Sequence, residues 1–464
     1  MTIADIITTK IGDMTITKYR LFGYTLLCHT HDIKKQEIKI FCFKLKFKHS
    51  NGVKNLLNKD ALADEYQKAI LKIRKKINKG NKVKVIFLVN MASMFPAENL
   101  MREMLKDNMF DVKLYVIPDV RFGKKDMVAS LEATYNELSK KYDFAKMAVK
   151  FDRNGEISDW DDVVNNADIV CYPSTYDLSY SPYNPYYAAK KGVLSIHIDY
   201  GFLRSKYDRL IYQSDNYNNF WKVFIETELN REEYYNYGQC EAANAVVTGY
   251  AKMDSLAQYK HINTSKKTII IAPHHSVEGG TNHILALSNF EAYADLFLKI
   301  PEMYPDIDFI FRPHPVLFKI LRQKKHWGNK RVDEYLDKML SHNNVTYSTS
   351  GDYLEVFAKS DGIIQDCGSY LVEYFYTKKP CCYMLKSPSD IENKFSELGK
   401  QCLGNCYIAY NQEDILDFLN NVIVKGIDPQ KQEREQFAEK QVMINYPCAS
   451  AKIISEIKSI LKGC

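Results

Sequence analysis

The sequence lacks the marks of several large protein classes. It contains no Cys-x-x-Cys pair, and its eleven cysteines are an odd, scattered set. A small secreted scaffold held by disulfides has denser, paired cysteines. No apolar run approaches the roughly 18 residues that a membrane-spanning helix needs. Near the N-terminus, Asp5, Lys10 and Asp13 interrupt any stretch resembling a signal peptide. There is no internal repeat and no low-complexity segment, and only 20 glycines and 14 prolines occur in 464 residues, which excludes collagen-like and disordered chains. The sequence therefore reads as a soluble or peripheral protein of the cytoplasm, possessing enough chain to bury sizeable cores without disulfides or a structural metal.

What is present is globular: 46% hydrophobic and 26% charged residues. At about 150 residues per domain the length suggests two to three domains. The net charge of +6 is unevenly spread. Residues 1–84 hold 19 Lys and Arg against 7 Asp and Glu, a balance of +12, and the remainder holds 44 against 50, or −6. In the stretch Lys34–Lys48 the basic residues alternate with Phe41, Phe43 and Phe47, and a second basic stretch runs from Lys68 to Lys84. Such interleaving suits an anionic membrane surface, although a solvated strand or helix face would look the same. No recognised nucleic-acid-binding motif accompanies the charge, so no nucleic acid is expected.

Short apolar runs alternate with amphipathic stretches. After small β pieces within residues 14–48 and a helix over Lys54–Lys79, continuous apolar runs such as Val83–Val89 mark buried parallel strands. The pattern restarts after a polar joint at Asn263–Lys267. Two such series predict two Rossmann-like α/β domains facing a cleft, with boundaries at 1–80 for a small basic N-terminal extension, 81–262 for the first domain and 263–464 for the second. Ligands in such sheets lie beyond the carboxyl ends of the strands.

Candidate chemistry gathers at those ends. Pro273-His274-His275-Ser276-Val277-Glu278-Gly279-Gly280 follows the strand Thr268–Ala272, and its histidines suit a phosphate or, less readily, a metal. Arg312-Pro313-His314-Pro315 follows Phe309–Phe311; the prolines fix where Arg312 and His314 aim, toward phosphate. Ser360-Asp361 opens a short strand that ends at Asp366-Cys367-Gly368-Ser369, ahead of a helix carrying Glu373. Free N–H groups at that helix start favour an anion, and Glu373 suits the hydroxyls of a ribose. In the first half, His197 and Asp199 lie at the end of the run Val193–Ile198 and suit an oriented general base. The Tyr-rich run Tyr176–Tyr187 suits stacking on a sugar, and the acidic run Asp159-Trp160-Asp161-Asp162 is expected to open a helix. Each of these also has a purely structural alternative: a histidine bonded inside the fold, or Asp366 and Ser369 as helix caps.

The order Val247-Thr-Gly-Tyr-Ala-Lys-Met-Asp254, Ile271-Ala-Pro273, Arg312-Pro-His-Pro315, Ser360-Asp361 and Asp366-Cys-Gly-Ser-Tyr-Leu-Val-Glu-Tyr374 resembles the CDP-glycerol glycerophosphotransferase family, the teichoic-acid polymerases and their capsule-assembly relatives. The resemblance covers residues 165–385, about half the chain. The N-terminal Lys18-Tyr-Arg-Leu-Phe-Gly23 is also similar to a leader found on some bacterial surface-polysaccharide transferases. Ala251-Lys252 stands where the family has Pro-Arg, Cys367-Gly368 stands for Tyr-Ser, and the family's Trp-His-Gly-Thr is replaced by His197-Ile-Asp-Tyr-Gly.

The resemblance implies a GT-B fold and transfer of glycerol phosphate, or a related phospho-polyol, from a CDP-linked donor to a hydroxyl of a cell-surface glycan or lipid-linked acceptor. It places Arg312, His314, Ser360, Asp361, Asp366, Ser369 and Glu373 at the donor, and the residue patterns themselves add Gly368, His274 and His275 as donor-binding. His197, Asp199 and His314 are the expected catalytic residues. No metal or other cofactor is expected. A glycosyltransferase using a nucleotide sugar on the same scaffold, and a non-catalytic glycan- or membrane-binding subunit, are the alternatives.

Overall fold

The computed structural model describes residues 4–11, 14–21, 24–31, 36–40 and 43–47 as backbone strands, and then 59–120, 123–172, 180–259, 265–277, 286–349 and 353–463. The side chains of Lys34–Lys48, Phe22 and Gly23 of the leader-like segment, the Tyr176 end of the Tyr-rich run and the Glu278-Gly279-Gly280 tail of the histidine loop lie outside the described residues.

The first five strands, β1 (Ala4–Ile11), β2 (Met14–Leu21), β3 (Tyr24–His31), β4 (Gln36–Ile40) and β5 (Phe43–Phe47), form an antiparallel meander. A helix over Lys59–Asn78 leads into the first α/β lobe. Its strands are β6 (Val83–Val89), β7 (Phe110–Val116), β8 (Ala145–Met147), β9 (Val149–Phe151), β10 (Ile157–Trp160), β11 (Ile169–Tyr172), β12 (Leu194–Ile198), β13 (Lys222–Ile225) and β14 (Ala245–Val247). Seven of them make a parallel sheet in the order β14-β13-β12-β11-β6-β7-β8. The second lobe has β15 (Lys267–Ala272), β16 (Ile307–Phe311), β17 (Val345–Tyr347), β18 (Gly362–Gln365), β19 (Cys381–Met384) and β20 (Tyr407–Ala409), all parallel, in the order β17-β16-β15-β18-β19-β20.

Both sheets wind the same way. The chain begins at a central strand, moves outward on one side, and returns to fill the other side. The direction reverses between β6 and β11 in the first lobe and between β15 and β18 in the second. A crevice opens at such a reversal, because the connections on its two sides leave in opposite directions.

Strand alternation divides the second lobe's core. Ile269 and Ile271 pack with Phe309, Phe311 and Phe290 on the outer face. Ile270, Ala272 and Ile363 belong to a core that runs on through the first lobe. Each fully buried Ile or Phe there is worth about 1.5–3 kcal/mol relative to exposure.

One expectation is corrected. The acidic run at Asp159 does not open a helix. Residues Ile157–Trp160 are a strand paired with β9, and Lys150 reaches Asp159 at 2.8 Å across the hairpin. The cause lies upstream, where the Asp152 carboxylate accepts the N–H groups of Asn154 and Glu156 and fixes a tight turn. The helix Phe290–Met303 follows β15, and just ahead of it Asn289 N–H is bound by the Asp366 carboxylate.

The last helix, Ala449–Lys462, leaves the second lobe and packs on the first. Ala449, Ile453, Ile457 and Leu461, spaced by four, are its buried face. It lies against the helices Glu98–Leu105 and Lys59–Asn78, and Lys458 pairs with Asp107 at 2.6 Å. Its first turn is capped from a distance: the Asp254 carboxylate accepts Ala449 N–H at 3.1 Å and Ser450 N–H at 2.8 Å. Gly249, at φ +81°, gives the approaching chain room, since a Cβ there would meet the Ile444 carbonyl oxygen at 1.9 Å. Thus Gly249 and Asp254 of the Thr248–Asp254 motif anchor this helix. Asp254→Ala is expected to cost about 1–2 kcal/mol of stability, the usual worth of a lost N-cap; a denaturation midpoint equal to wild type would contradict the assignment.

Candidate active site

The strand exits of the second lobe meet at its reversal point. Just past β15, His274 donates its backbone N–H to Asp366 Oδ1 at 2.6 Å, and Asn289 N–H binds Asp366 Oδ2 at 2.5 Å. Asp366 is fully buried, and desolvation pushes its carboxyl up to about 7. It is a strut that holds two loops in place. The loop past β16 is joined to the same group, because His314 N–H binds the Pro273 carbonyl at 2.9 Å.

Three imidazoles result, from three positions in the sequence. The ring centroids of His274 and His275 are 4.2 Å apart, those of His275 and His314 4.0 Å, and those of His274 and His314 5.4 Å. Burial lowers the pKa of all three; for His314, burial and then the His275 charge bring it to about 3. They are neutral near pH 7. The Nδ1 of His314 accepts Val316 N–H at 3.2 Å, so its proton is on Nε2. Arg312, 8% exposed, is held by Tyr370 Oη at 3.1 Å and Ser348 Oγ at 2.5 Å. Among the described residues no three His, Cys, Asp or Glu side chains are grouped so as to hold a metal ion.

The short helix Gly368–Glu373 follows β18. Against it lies a segment of the first lobe that sequence reasoning passed over. The Arg204 guanidinium rests on Gly368, where a Cβ would fall 1.5 Å from Nη2. Gly201 rests on Ser369, where a Cβ would fall 2.5 Å from Oγ. Arg204 is also paired with Asp208 at 3.5 Å, and its carbonyl accepts Ser396 N–H at 2.9 Å. The signal for this contact was the His197–Arg204 run itself, in which small Gly201 precedes a cation.

Glu373 is buried, and Tyr353 Oη donates to its Oε2 at 2.7 Å. Lys252, from the first lobe, lies 4.0 Å from Oε1 and 4.8 Å over the Tyr353 ring. Cys367 donates its thiol to the Ala272 carbonyl at 3.3 Å, a backbone role.

Ser360 and Asp361 lie elsewhere. They precede β18, so strand polarity puts them at the amino end of the sheet, several residues of extended chain from Asp366. Ser360 Oγ meets Tyr374 Oη at 2.8 Å, and Asp361 accepts Thr268 N–H at 2.8 Å and Lys267 Nζ at 3.2 Å, which stitches strand starts together. They do not join the cluster.

His197 also differs from expectation. It is 1% exposed, its Nδ1 donates to the Tyr172 carbonyl at 3.0 Å, and its Nε2 meets Asp199 Oδ1 at 3.1 Å. Its ring stacks on Phe220 at 5.0 Å. No ring nitrogen is left to take a proton from an acceptor. Asp199 is also bound by Tyr217 Oη at 2.8 Å, so the ring and the phenol together orient the carboxylate. Close by, Glu226 at the exit of β13 is 1% exposed, and burial, with the Asp199 charge second, pushes its carboxyl well above the usual range. Nothing in the sequence marked Glu226, which simply follows an apolar strand.

No protein-family model matches the sequence, and no curated protein matches it. In overall shape the chain is similar to a protein described as a UDP-N-acetylglucosamine 2-epimerase from Listeria monocytogenes, with a TM-score of 0.54 and 14% identity over 82% of this chain and 98% of that one. It is similar to the UDP-GlcNAc 2-epimerase from Neisseria meningitidis bound to UDP-GlcNAc, with a TM-score of 0.52 and 15% identity over 82% and 100%. It is also similar to the wall teichoic acid polymerase TagF, with a TM-score of 0.51 and 13% identity over 86% and 98%. At these identities the likeness is one of fold, and the fold is GT-B: two Rossmann-like lobes, face to face.

The histidine cluster has a pH signature. A histidine whose folded pKa is depressed contributes stability above its unfolded value, near 6.5, and loses it as pH falls toward the folded value. Between pH 6.5 and 4.5, His314→Gln is expected to lose about 2 kcal/mol less stability than the unsubstituted protein. Denaturant titrations at the two pH values check this, and parallel losses would refute it.

Proposed function

We propose that the protein transfers glycerol phosphate, or a related phospho-polyol, from a CDP-linked donor to a hydroxyl of a cell-surface glycan or lipid-linked acceptor. The observation that carries this reading is the convergence of Arg312, His314, His275 and Arg204 on the reversal point of the second sheet, where an α/β fold receives a nucleotide. The motif order of the donor lobe and the GT-B fold shared with a wall teichoic acid polymerase support it.

The diphosphate lies against Arg312 and the His314 Nε2–H, with Arg204 closing from the other lobe and Glu373 toward the ribose. Asp199 is the base for the acceptor hydroxyl, and His197 positions it, an exchange of the roles expected for this pair. The acceptor oxygen forms a bond to phosphorus, the bond from phosphorus to the nucleoside monophosphate breaks, and the acceptor proton passes to Asp199. Arg312 and His314 neutralise the charge that develops on the leaving phosphate.

The structure similar to this chain that holds UDP-GlcNAc favours one other reading, a glycosyltransferase acting on a nucleotide sugar. The nucleotide released separates them. Purified protein given CDP-glycerol and an envelope acceptor fraction is expected to release CMP, whereas UDP released from UDP-sugars would establish the alternative. Arg312→Ala is expected to reduce kcat/KM by roughly a hundredfold or more. If neither His314→Ala nor Arg312→Ala changes the output of the cell's surface glycan, the protein is a binding subunit instead.

The +12 balance of residues 1–84 supports peripheral contact with anionic lipid. On the helix Lys59–Asn78, exposed Lys68, Lys72 and Lys75 flank an exposed Leu71. Binding to phosphatidylglycerol vesicles is expected at low salt and should be lost at high salt. Absence of binding at low salt would remove this part of the proposal.

A further inference from the structure

Between the lobes, three buried oxygens have no hydrogen-bond partner among the described residues: Glu226 Oε1, Tyr250 Oη and Glu373 Oε1. Each of the three residues is 1% exposed. They come from separate elements. Glu226 follows β13, Tyr250 follows β14, and Glu373 lies on the short helix of the other lobe. They share one neighbourhood: Ile225 of β13 pairs with Val247 of β14, so Glu226 and Tyr250 leave adjacent strand ends, and Lys252, two residues past Tyr250, reaches toward Glu373. Lys252 lies 4.0 Å from Glu373 Oε1.

An orphaned buried polar atom costs about 1–3 kcal/mol, and native proteins keep few of them. Three such oxygens, drawn from both lobes, call for a polar partner that donates as well as accepts. Its chemistry follows from the atoms. A carboxylate accepts, and a neutral carboxyl or a phenol both donates and accepts. A phosphate would be repelled by Glu373 and Asp199. An apolar group would leave every oxygen unpaired. A hydroxyl, which donates and accepts together, satisfies them.

We propose that Glu226 and Tyr250 form a subsite for the hydroxyls of the group that the donor carries, a polyol or a sugar, adjacent to Asp199. The inference rests on the reading of this cleft as a nucleotide-linked donor site and adds its specificity element.

The test compares nucleotides with and without the hydroxyl-bearing group, by calorimetry on the full chain: CDP against CDP-glycerol, and UDP against UDP-N-acetylglucosamine. The hydroxyl-bearing member of one pair is expected to bind at least fivefold more tightly than the bare diphosphate. Tyr250→Phe and Glu226→Met should remove that preference and leave the bare diphosphate unchanged, whereas Glu226→Gln, which still donates and accepts, retains most of it. Without ligand, Tyr250→Phe and Glu226→Met should melt at or above the wild-type temperature, because they delete unpaired oxygens. An unchanged preference in both apolar variants overturns the inference, as does a fall in their melting temperature with the preference intact. Mg2+ alone raising the melting temperature of wild type but not of Glu226→Gln would assign the oxygens to a cation, and likewise overturns it. A preference confined to the UDP pair leaves the subsite standing and removes the CDP-glycerol reading. CMP release from CDP-glycerol with no preference to lose does the reverse.

Discussion

The candidate site depends on one buried carboxyl. Asp366 accepts backbone N–H groups from His274 and Asn289, and so ties the exit of β18 to the exit of β15 and to the start of the next helix. Every other placement in the second lobe follows. His274 being fixed, the Pro273 carbonyl is fixed; that carbonyl receives His314 N–H, and Arg312 lies two residues earlier on the same loop. The arrangement costs desolvation, visible in the elevated carboxyl pKa. It is offset because a side chain with two acceptor oxygens meets two loop amides that no strand can serve.

A second constraint sets how the lobes meet. Gly201 and Gly368 permit the first lobe to touch the start of the short helix without a side chain between. Two positive groups, Arg204 and that helix start, are thereby pressed together, a contact that an anion beside them would relieve. Lys252 makes a second crossing, toward Glu373 and Tyr353. The lysine thereby delivers a cation to the facing lobe.

Much of this was legible in the residues. Apolar runs such as Val83–Val89 and Thr268–Ala272 give the parallel strands, and polar loops behind them mark the functional edge. Arg312 and His314 stand out because flanking prolines leave little freedom of aim. Other features were not legible, for physical reasons. Ser360 and Asp361 are six or so residues from Asp366 in sequence, but a strand intervenes, and an extended chain carries neighbours to opposite ends of a sheet. His197 looked like a free base because a sequence does not reveal that a carbonyl, here that of Tyr172, waits beside Nδ1. Glu226 and Arg204 acquire meaning only when the lobes are brought together. Asp159 was misread because the turn at Asp152, built from local side-chain bonds, outweighed the preference of acidic residues for helix starts.

The return of the helix Ala449–Lys462 to the first lobe has a consequence in time. Ile453, Ile457 and Leu461 complete a core whose opening strand, Val83–Val89, is synthesised some 360 residues earlier. As the chain emerges from the ribosome, the first lobe must wait with that flank bare while the whole second lobe is made. The half of the protein that is translated first is therefore the last to be finished.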